Sequence, residues 1–360
     1  LASHGHETHL LCYQGADGEQ DGQRPYVVHR ARTSLEQRST RSGPSLEKVL
    51  LDLALAQSAR ALCATLSPDL VVAHHVEAAS CALALDRPVL FVAHTSLRTE
   101  LPSYFPAPLA RAAAQAGARL DRFLCARYPV ALAVSPLLAE MLTLESGRPI
   151  TPIAVPWQLA EPVAEHERAT ARRALGISNA GPVLLYAGNL DAYQGLSGIL
   201  PDLARLVRVR PNLTWLIATE SESGAFAREL SAHGLSRHVR FTRLGGEAAR
   251  RLVHAAADLA LVPRGAAGGI PIKLLDALAR GMPVVTSRTA LAGLAIPAPA
   301  VTTMDEHGSW DVAIDHRLLC GAPVNAAGRA FVADAHQPAR FVSDMIAHAR
   351  RFRLLSPPGA

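Results

Sequence analysis

The segment Leu259–Ser287 reads LALVPRGAAGGIPIKLLDALARGMPVVTS. It contains an apolar run, a loop rich in glycine, a longer segment with few breakers, Gly281, and a second apolar run that is rich in valine. This order predicts a strand, a glycine loop, a helix and a second strand, which is the repeating unit of a parallel sheet.

The glycine loop of this segment has the features of an anion site. Gly265, Gly268 and Gly269 allow the backbone to approach a ligand closely. We expect the helix to begin at Ile270, with Pro271 in its first turn, where the missing N–H is no loss. The free N–H groups and positive dipole end of such a helix start favour a diphosphate.

Charged residues beside the loop support the same interpretation. Arg264 ends the first strand and Lys273 lies one turn into the helix, so both can reach one phosphate group. Asp276 follows Lys273 by three residues and shares its face, where its carboxylate can accept hydrogen bonds from a ribose diol. The alternative is a structural strand–loop–helix turn that carries surface charges.

Short apolar runs alternate with longer helical segments along the whole chain. We therefore predict an α/β fold with two Rossmann-like, doubly wound parallel-sheet domains that face each other across a cleft. The domains are residues 1–155 and 156–335, followed by a helix and tail at 336–360, and the proline-rich Pro152–Pro162 is the linker. The predicted helices include Ser45–Leu66, Leu109–Arg127, Gln194–Val209, Glu247–Ala256, Ile270–Arg280 and Pro338–Phe352.

Composition excludes several classes of protein. The chain has 360 residues and a net charge of +5, without a basic stripe of the kind that binds nucleic acid. Its five cysteines are scattered, which indicates reduced thiols in the cytoplasm and not a disulfide framework. No apolar run reaches the ~20 residues that a membrane span needs. Because Leu1 reads as the tail of a helix, we expect that the natural N-terminus lies further upstream.

Histidines in the first half follow the predicted strands. His74 and His75 end one strand and His94 ends the next, so we expect them at the carboxyl edge of a sheet. His94 is the candidate catalytic residue, because a neutral imidazole can hydrogen-bond a sugar hydroxyl or transfer a proton. His75 and Glu77 are candidate acceptor-side residues, although Glu77 equally fits a helix N-terminal charge. No metal site is predicted, because these histidines lack an acidic or cysteine partner at ligand spacing.

The C-terminal segment resembles the donor site of family-4, group 1 glycosyltransferases, which have the GT-B fold. The ending Gly281-Met282-Pro283-Val284-Val285 matches the Gly-x-Pro-Val-Val that follows the donor helix in that family. By this resemblance Asp276 takes the second acidic position, which binds the nucleotide ribose. The first acidic position, which contacts the donor sugar, falls on Gly268.

A second stretch, Tyr186–Gly195, is similar to the family's phosphate-binding turn. Where many relatives have Gly-Arg and Lys-Gly, this chain has Gly188-Asn189 and Gln194-Gly195. Both polar side chains can hydrogen-bond a phosphate but neither neutralises its charge, so Arg264 and Lys273 are expected to supply the positive charge. The alternative for Asn189 is an ordinary turn residue after a strand.

The resemblance covers nearly the whole chain and is strongest at residues 183–287, while the family's first strand has no counterpart. It implies a retaining, metal-independent transfer of a sugar from a nucleotide diphosphate sugar to a hydroxyl group, with that donor as co-substrate and no further cofactor. By analogy, the acceptor is a glycan or lipid-linked glycan of a bacterial cell envelope. The enzyme would then rest on the cytoplasmic face of the inner membrane.

Two other functions compete with this one. A sugar-nucleotide epimerase or hydrolase of the same fold would need a pair of carboxylates in the cleft, and the sequence offers no convincing pair. A non-catalytic binding module is favoured by Gly268 and by the replacement of the family's arginine and lysine with Asn189 and Gln194.

Overall fold

The structure is a computed structural model, and it describes residues 1–13, 25–33, 43–161, 163–178, 180–265, 269–321 and 324–355. The chain forms two compact units. The N-terminal unit comprises residues 1–154 and 339–360, and the C-terminal unit comprises residues 155–338. The division falls inside the proline-rich segment Pro152–Pro162.

The N-terminal unit contains two parallel sheets. One has the order β1-β2 and the other has the order β3-β4-β5-β6. Its strands are β1 (His9–Cys12), β2 (Val27–Arg30), β3 (Val71–His74), β4 (Val89–Ala93), β5 (Val130–Ala133) and β6 (Thr151–Pro152). Its first five helices are α1 (Leu46–Leu66), α2 (His75–Cys81), α3 (Leu97–Glu100), α4 (Ala107–Arg127) and α5 (Pro136–Ser146).

The C-terminal unit is built on one six-stranded parallel sheet with the order β12-β11-β10-β7-β8-β9. Its strands are β7 (Val183–Ala187), β8 (Thr214–Ala218), β9 (Val239–Thr242), β10 (Leu259–Val262), β11 (Val284–Thr286) and β12 (Thr302–Thr303). Its helices are α6 (Glu165–Ala174), α7 (Leu200–Val209), α8 (Gly224–Ala232), α9 (Glu247–Ala256), α10 (Ile272–Ala279), α11 (Arg288–Leu291), α12 (Met304–His307), α13 (Trp310–Leu319) and α14 (Ala326–Ala335). A last helix, α15 (Pro338–Arg351), groups with the N-terminal unit.

The core of the C-terminal unit lies on both faces of its sheet. Alternate residues of β7 point to opposite sides, so Val183 and Leu185 join one hydrophobic cluster while Leu184 and Tyr186 join the other. Strands that are buried on both faces read as continuous apolar runs, which is why the sequence predicted a parallel sheet here. The predicted fold class, two Rossmann-like parallel-sheet domains, is confirmed.

Two predicted helices beside the candidate glycine loop differ from the structure. The single helix expected at Gln194–Val209 is replaced by two short 3₁₀ turns and by α7, which begins only at Leu200. The cause is Gly195, whose φ of 73° interrupts a helix. The helix predicted at Ile270–Arg280 is α10, which begins two residues later, and Pro271 is its N-cap residue.

Helix α1 corrects the expectation that nothing in the chain is long and apolar enough to span a membrane. Among the described residues, α1 has the length and the apolar composition of a membrane-spanning helix. The N-terminus of α1 is nevertheless capped like that of a helix in a folded domain, since the Ser45 side chain accepts a hydrogen bond from the Lys48 amide. It also packs on the protein: Tyr13 donates a hydrogen bond to the Asp52 carboxylate.

Candidate functional site

The candidate donor site lies at the carboxyl ends of β7 and β10. These two strands are neighbours, and the sheet order runs outward from them in opposite directions. Ligands of doubly wound sheets bind at such a reversal of strand order, where the loops that follow the two strands diverge. The residues Gly188–Gln194 follow β7 and Arg264 follows β10, so the fold brings the two predicted donor segments together.

Lys273, in the first turn of α10, is the centre of a hydrogen-bond network at this position. Its ammonium group donates to the Gln194 side-chain oxygen at 2.5 Å and to the Tyr186 hydroxyl at 2.8 Å. It also lies 4.3 Å from the centre of the Tyr186 ring. An ammonium group has three protons, so one donor remains for a ligand.

The surroundings of Lys273 disfavour its positive charge. Burial and, to a smaller extent, the charge of Arg264 lower the pKa of Lys273 to about 7, while Asp191 opposes the shift. The side chain nevertheless keeps part of its surface exposed. A cation that is short of negative partners and reachable from solvent is suited to an anionic ligand.

Asn189 and Gln194, which we predicted as phosphate ligands, support Lys273 in the structure. The Gln194 amide donates to the Asn189 side-chain oxygen at 2.7 Å while its own oxygen accepts from Lys273. The Asn189 amide donates to Asp191 at 2.8 Å and to the Tyr193 hydroxyl at 3.1 Å. Gln194 thus contacts Lys273 directly and Asn189 contacts Gln194, and phosphate binding stays a prediction for both.

The turn after β7 packs directly against the glycine loop. A Cβ atom on Gly195 would lie 2.2 Å from the Pro263 carbonyl oxygen, so only glycine fits there. The Gly265 amide donates to the Tyr193 carbonyl at 3.0 Å, and the Arg264 guanidinium lies 5.8 Å from the centre of the Tyr193 ring. This packing places Arg264 beside the network of Lys273.

The start of α10 differs in detail from the expected anion site. Gly269 and Ile270 are buried and precede the helix, whose first residue is Ile272. The amides of the first helical turn therefore belong to Ile272 and Lys273, and not to Ile270. Gly268 lies outside the described residues.

Asp276, the predicted ribose ligand, is buried in a row of charges. One of its carboxylate oxygens accepts a hydrogen bond from Arg280 at 2.9 Å, and the other lies 3.6 Å from the His254 ring nitrogen. Arg280 also pairs with Glu247 at 2.7 Å. The carboxylate retains further lone pairs, so ribose binding stays a prediction for this residue.

The N-terminal unit brings its predicted histidines together at the end of β3 and β4. The ring nitrogens of His74 and His94 are 3.1 Å apart, and the ring centres of His75 and His94 are 6.1 Å apart. Burial lowers the pKa of His94, and the neighbouring His74 and His75 lower it further, so this imidazole is neutral at pH 7. A neutral ring can donate or accept a proton, as the sequence analysis requires of His94.

His75 and Glu77 form an ion pair in the first turn of α2. Burial opposes the charge of His75, but its hydrogen bond to Glu77 raises the pKa of the imidazole. His75 has a φ of 71°, a left-handed conformation that is uncommon outside glycine and that is often found at functional sites. The described residues contain no group of His, Cys, Asp and Glu that could hold a metal ion.

A buried carboxylate that the sequence analysis missed fixes the turn after His94. Asp121 of α4 is 3% exposed. It accepts hydrogen bonds from the Ser96 hydroxyl at 2.8 Å and from the Leu97 and Arg98 amides at 3.2 Å each. Asp121 therefore caps α3 from a distant part of the chain and holds the backbone next to His94 in place.

A cavity of about 390 Å³ lies elsewhere in the C-terminal unit, at the amino ends of β7, β10 and β11. Two of its charged lining residues, Arg172 and Asp258, bond to each other at 2.6 Å. Ligands bind at the carboxyl edge of such sheets, so we place the site around Lys273 and not in this cavity.

Two family models match the sequence. Residues 1–155 match Glycosyltransferase Family 4, and residues 181–303 match Glycosyl transferases group 1. The chain belongs to the family-4, group 1 glycosyltransferases. A search of curated proteins found no match.

Solved structures share the fold of this glycosyltransferase. Sucrose-phosphate synthase from Thermosynechococcus elongatus superposes with a TM-score of 0.74 at 16% identity, covering 98% of this chain and 90% of that one. Anabaena HepE in complex with UDP-glucose gives 0.69 at 16% identity, covering 97% and 100%. Starch synthase IV from Arabidopsis thaliana, bound to ADP and acarbose, gives 0.62 at 13% identity, covering 86% and 79%. At these identities the comparison establishes the GT-B fold of the glycosyltransferase.

Tyr186 belongs to the hydrogen-bond network of Lys273, although the sequence analysis did not select it. Its hydroxyl accepts from Lys273 and donates to the Asn189 carbonyl, while its ring is fully buried at the end of β7. A tyrosine at the end of a buried strand, next to a glycine turn, is the signal that could have identified it.

Proposed function

We propose that this glycosyltransferase moves a sugar from a nucleotide diphosphate sugar to a hydroxyl group of an acceptor. The observation that carries the proposal is the environment of Lys273. Its ammonium group has one free donor, a charge that its surroundings disfavour, and a second cation, Arg264, beside it. A diphosphate would supply negative charge to Lys273 and could be bound by Arg264 as well.

The departure of the nucleotide diphosphate is the step that these residues would assist. The sugar–phosphate bond breaks and negative charge develops on the leaving diphosphate. Lys273, Arg264 and the amides of the first turn of α10 are fixed donors for that charge, which lowers the barrier. We propose that they make an essential metal unnecessary and that the nucleotide sugar is the one co-substrate. Retention at the anomeric carbon is proposed from the family resemblance.

In the N-terminal unit, His94 would contact the acceptor or the reacting sugar. A neutral imidazole can accept a hydrogen bond from a sugar hydroxyl or take its proton. The ion pair of His75 and Glu77 would line the acceptor side. For the acceptor we propose a glycan or a lipid-linked glycan of the cell envelope, with the enzyme working in the cytoplasm.

Calorimetric titration with UDP, ADP and GDP, and with the corresponding glucose nucleotides, tests the donor part of the proposal. We expect micromolar binding of one base series, and its loss in Arg264→Ala/Lys273→Ala. Arg208→Ala/Arg228→Ala, which removes two exposed arginines of the same unit, is the control and should bind normally. Unchanged affinity in the Arg264/Lys273 variant would refute the assignment.

Incubation with the bound donor and candidate acceptors then distinguishes the functions. A glycosylated acceptor supports the proposal. Epimerised or hydrolysed donor without acceptor would indicate an epimerase or hydrolase. Tight binding without any turnover of a nucleotide sugar would favour a binding module, for which Gly268 in place of an acidic residue is the supporting observation.

A further inference from the structure

The outer face of α4 exposes a continuous apolar stripe. Phe105, just before the helix, is 39% exposed, and Leu109, Leu120 and Phe123 are 53%, 37% and 51% exposed. At 100° per residue these side chains and the exposed Ala112 and Ala116 between them fall on one side of the helix. The stripe is about 21 Å long from Leu109 to Phe123, at 1.5 Å per residue.

Positive charge flanks this stripe. The four charged side chains on the exposed part of α4 are arginines, namely Arg111, Arg119, Arg122 and Arg127. The helix has a single acidic residue, Asp121, which is 3% exposed and bonded to the turn after β4. Arg122 pairs with Glu145 at 3.0 Å. At 100° per residue Arg111 lies on the far side of the helix from the stripe, so Arg119 and Arg127 are the arginines that border it.

The adjoining side of α4 is already committed to the protein. Gly117 lies so close to α3 that a Cβ atom there would be 2.4 Å from the Leu97 carbonyl oxygen. Ala113, Asp121 and Leu124 are buried on the same side. The helix is therefore folded and fixed in orientation before any partner arrives, and the arginine-flanked stripe faces outward.

Helix α1 also exposes apolar side chains, among them Leu46 and Leu53 at 85% and 57%. Its charged residues near that surface have both signs, with Glu47 and Asp52 beside Lys48. The charges of α1 therefore do not identify a partner, whereas the exposed charged side chains of α4 are all positive.

The arrangement on α4 argues against a second copy of the chain as the partner. Symmetric pairing of two α4 faces would bring arginines against arginines, which is unfavourable. A bilayer with anionic headgroups and an apolar interior complements both the arginines and the apolar stripe of α4. Phenylalanine and leucine can enter the boundary between headgroups and acyl chains while arginines bond to the phosphates.

We propose that α4 docks this glycosyltransferase on an anionic phospholipid bilayer, with Leu109, Leu120 and Phe123 inserted and Arg119 and Arg127 against the headgroups. The proposal goes beyond the transfer reaction and needs neither donor nor acceptor, so it can fail while the proposed reaction holds. It assigns the contact to a helix that does not meet the composition of a membrane span.

Flotation with vesicles tests the proposal. We expect the protein to float with vesicles of phosphatidylcholine and phosphatidylglycerol, to bind pure phosphatidylcholine weakly, and to be released by high salt. Arg119→Gln/Arg127→Gln should weaken binding by about fivefold for each arginine, from the usual contribution of a basic residue near an anionic surface. Leu120→Ser/Phe123→Ser should weaken it at least as much.

Matched controls lie in the C-terminal unit. Arg208→Gln/Arg228→Gln makes the same change of net charge, and Val209→Ser/Leu319→Ser removes two side chains that are each 72% exposed. Both controls should float like the parent protein, and thermal melts should show that all variants are folded. Equal loss of binding in the controls, or no binding to anionic vesicles, would overturn the proposal. So would a dimer in sedimentation velocity that Leu120→Ser/Phe123→Ser dissociates.

Discussion

At the scale of single residues, the protonation of Lys273 would decide how the proposed donor site works. Two of its donors are committed to Gln194 and Tyr186, so the third proton is the one that can reach a phosphate. That proton is present below pH 7 and is lost as the pH rises, because burial and Arg264 lower the pKa of Lys273 to about 7. A bound diphosphate would raise the pKa again, since it stabilises the charged form.

Donor affinity should therefore fall as the pH rises above 7. Because binding to deprotonated Lys273 takes up a proton, we expect the affinity for the donor nucleotide sugar to drop by up to about tenfold per pH unit between pH 7 and 9. Below pH 7 Lys273 contributes no further change. Nucleotide sugars are the right probe, because their two phosphates do not titrate in this range. Calorimetry in buffers of different ionisation enthalpy measures the proton uptake directly.

Lys273→Arg is the control for this prediction, since a guanidinium stays charged throughout the range. If this variant binds, its affinity should not vary with pH. An equally steep decline in the variant, or a constant affinity of the parent protein from pH 6 to 9, would show that Lys273 is not the titrating group.

Donor binding should be as sensitive to substitution of Gly188 as to substitution of Lys273, for steric reasons. It has a φ of 153°, and a Cβ atom there would lie 2.8 Å from the Lys273 ammonium nitrogen. Gly188→Ala should displace the end of the lysine and weaken donor binding at least tenfold, and it should also lower stability, because alanine is strained at this positive φ. Gly198→Ala, where a Cβ atom meets nothing within 4 Å, should bind normally. Calorimetric titration of both variants with the donor nucleotide sugar measures these affinities.

At the scale of elements, the sequence predicted correctly the bounds that depend on local interactions along the chain. The helix Glu247–Ala256 has the predicted bounds, because its amphipathic spacing identifies it. The single helix predicted at Gln194–Val209 was wrong because the close approach of Gly195 to Pro263 is a tertiary contact, which local sequence does not reveal. Asp121 was missed for the same reason: its three hydrogen bonds reach residues more than twenty positions away.

The packing of α4 on α3 gives a stability prediction for this level. At Gly117 a Cβ atom would lie 2.4 Å from the backbone of Leu97, and backbone cannot move aside as a side chain can. Gly117→Ala should therefore lower the free energy of unfolding by about 1–3 kcal/mol, the usual cost of overpacking.

Gly224→Ala provides the comparison, because this glycine begins α8 and a Cβ atom there meets nothing within 4 Å. It should leave stability unchanged or raise it by up to about 1 kcal/mol. Urea unfolding monitored by circular dichroism gives both values. Equal stability of the two variants would mean that α4 and α3 are less closely packed than the structure indicates.

At the scale of the whole molecule, sheet order explains why the sequence could group the donor residues but not arrange them. Arg264 and Lys273 follow β10 and Asn189 and Gln194 follow β7, and the order β12-β11-β10-β7-β8-β9 makes these two strands neighbours. Sequence pattern indicated which strand ends carry polar residues. It could not indicate that Gln194 would bond to Lys273, because that contact depends on how two distant loops pack.

The two units have separate predicted roles, so a donor nucleotide should act on them unequally. Ligand at about 100 times its Kd stabilises the folded state by about 2.7 kcal/mol, and for a domain of about 150–250 residues 1 kcal/mol raises the Tm by about 2–4 °C. We expect this stabilisation in the C-terminal unit, because Lys273, Arg264, Asn189 and Gln194 all belong to it. Hydrogen–deuterium exchange read by mass spectrometry should show nucleotide-dependent protection in the peptides of residues 183–199 and 259–280. Protection that is confined to residues 71–105 would place the nucleotide beside His94 instead and would contradict the assignment of the donor to β7 and β10.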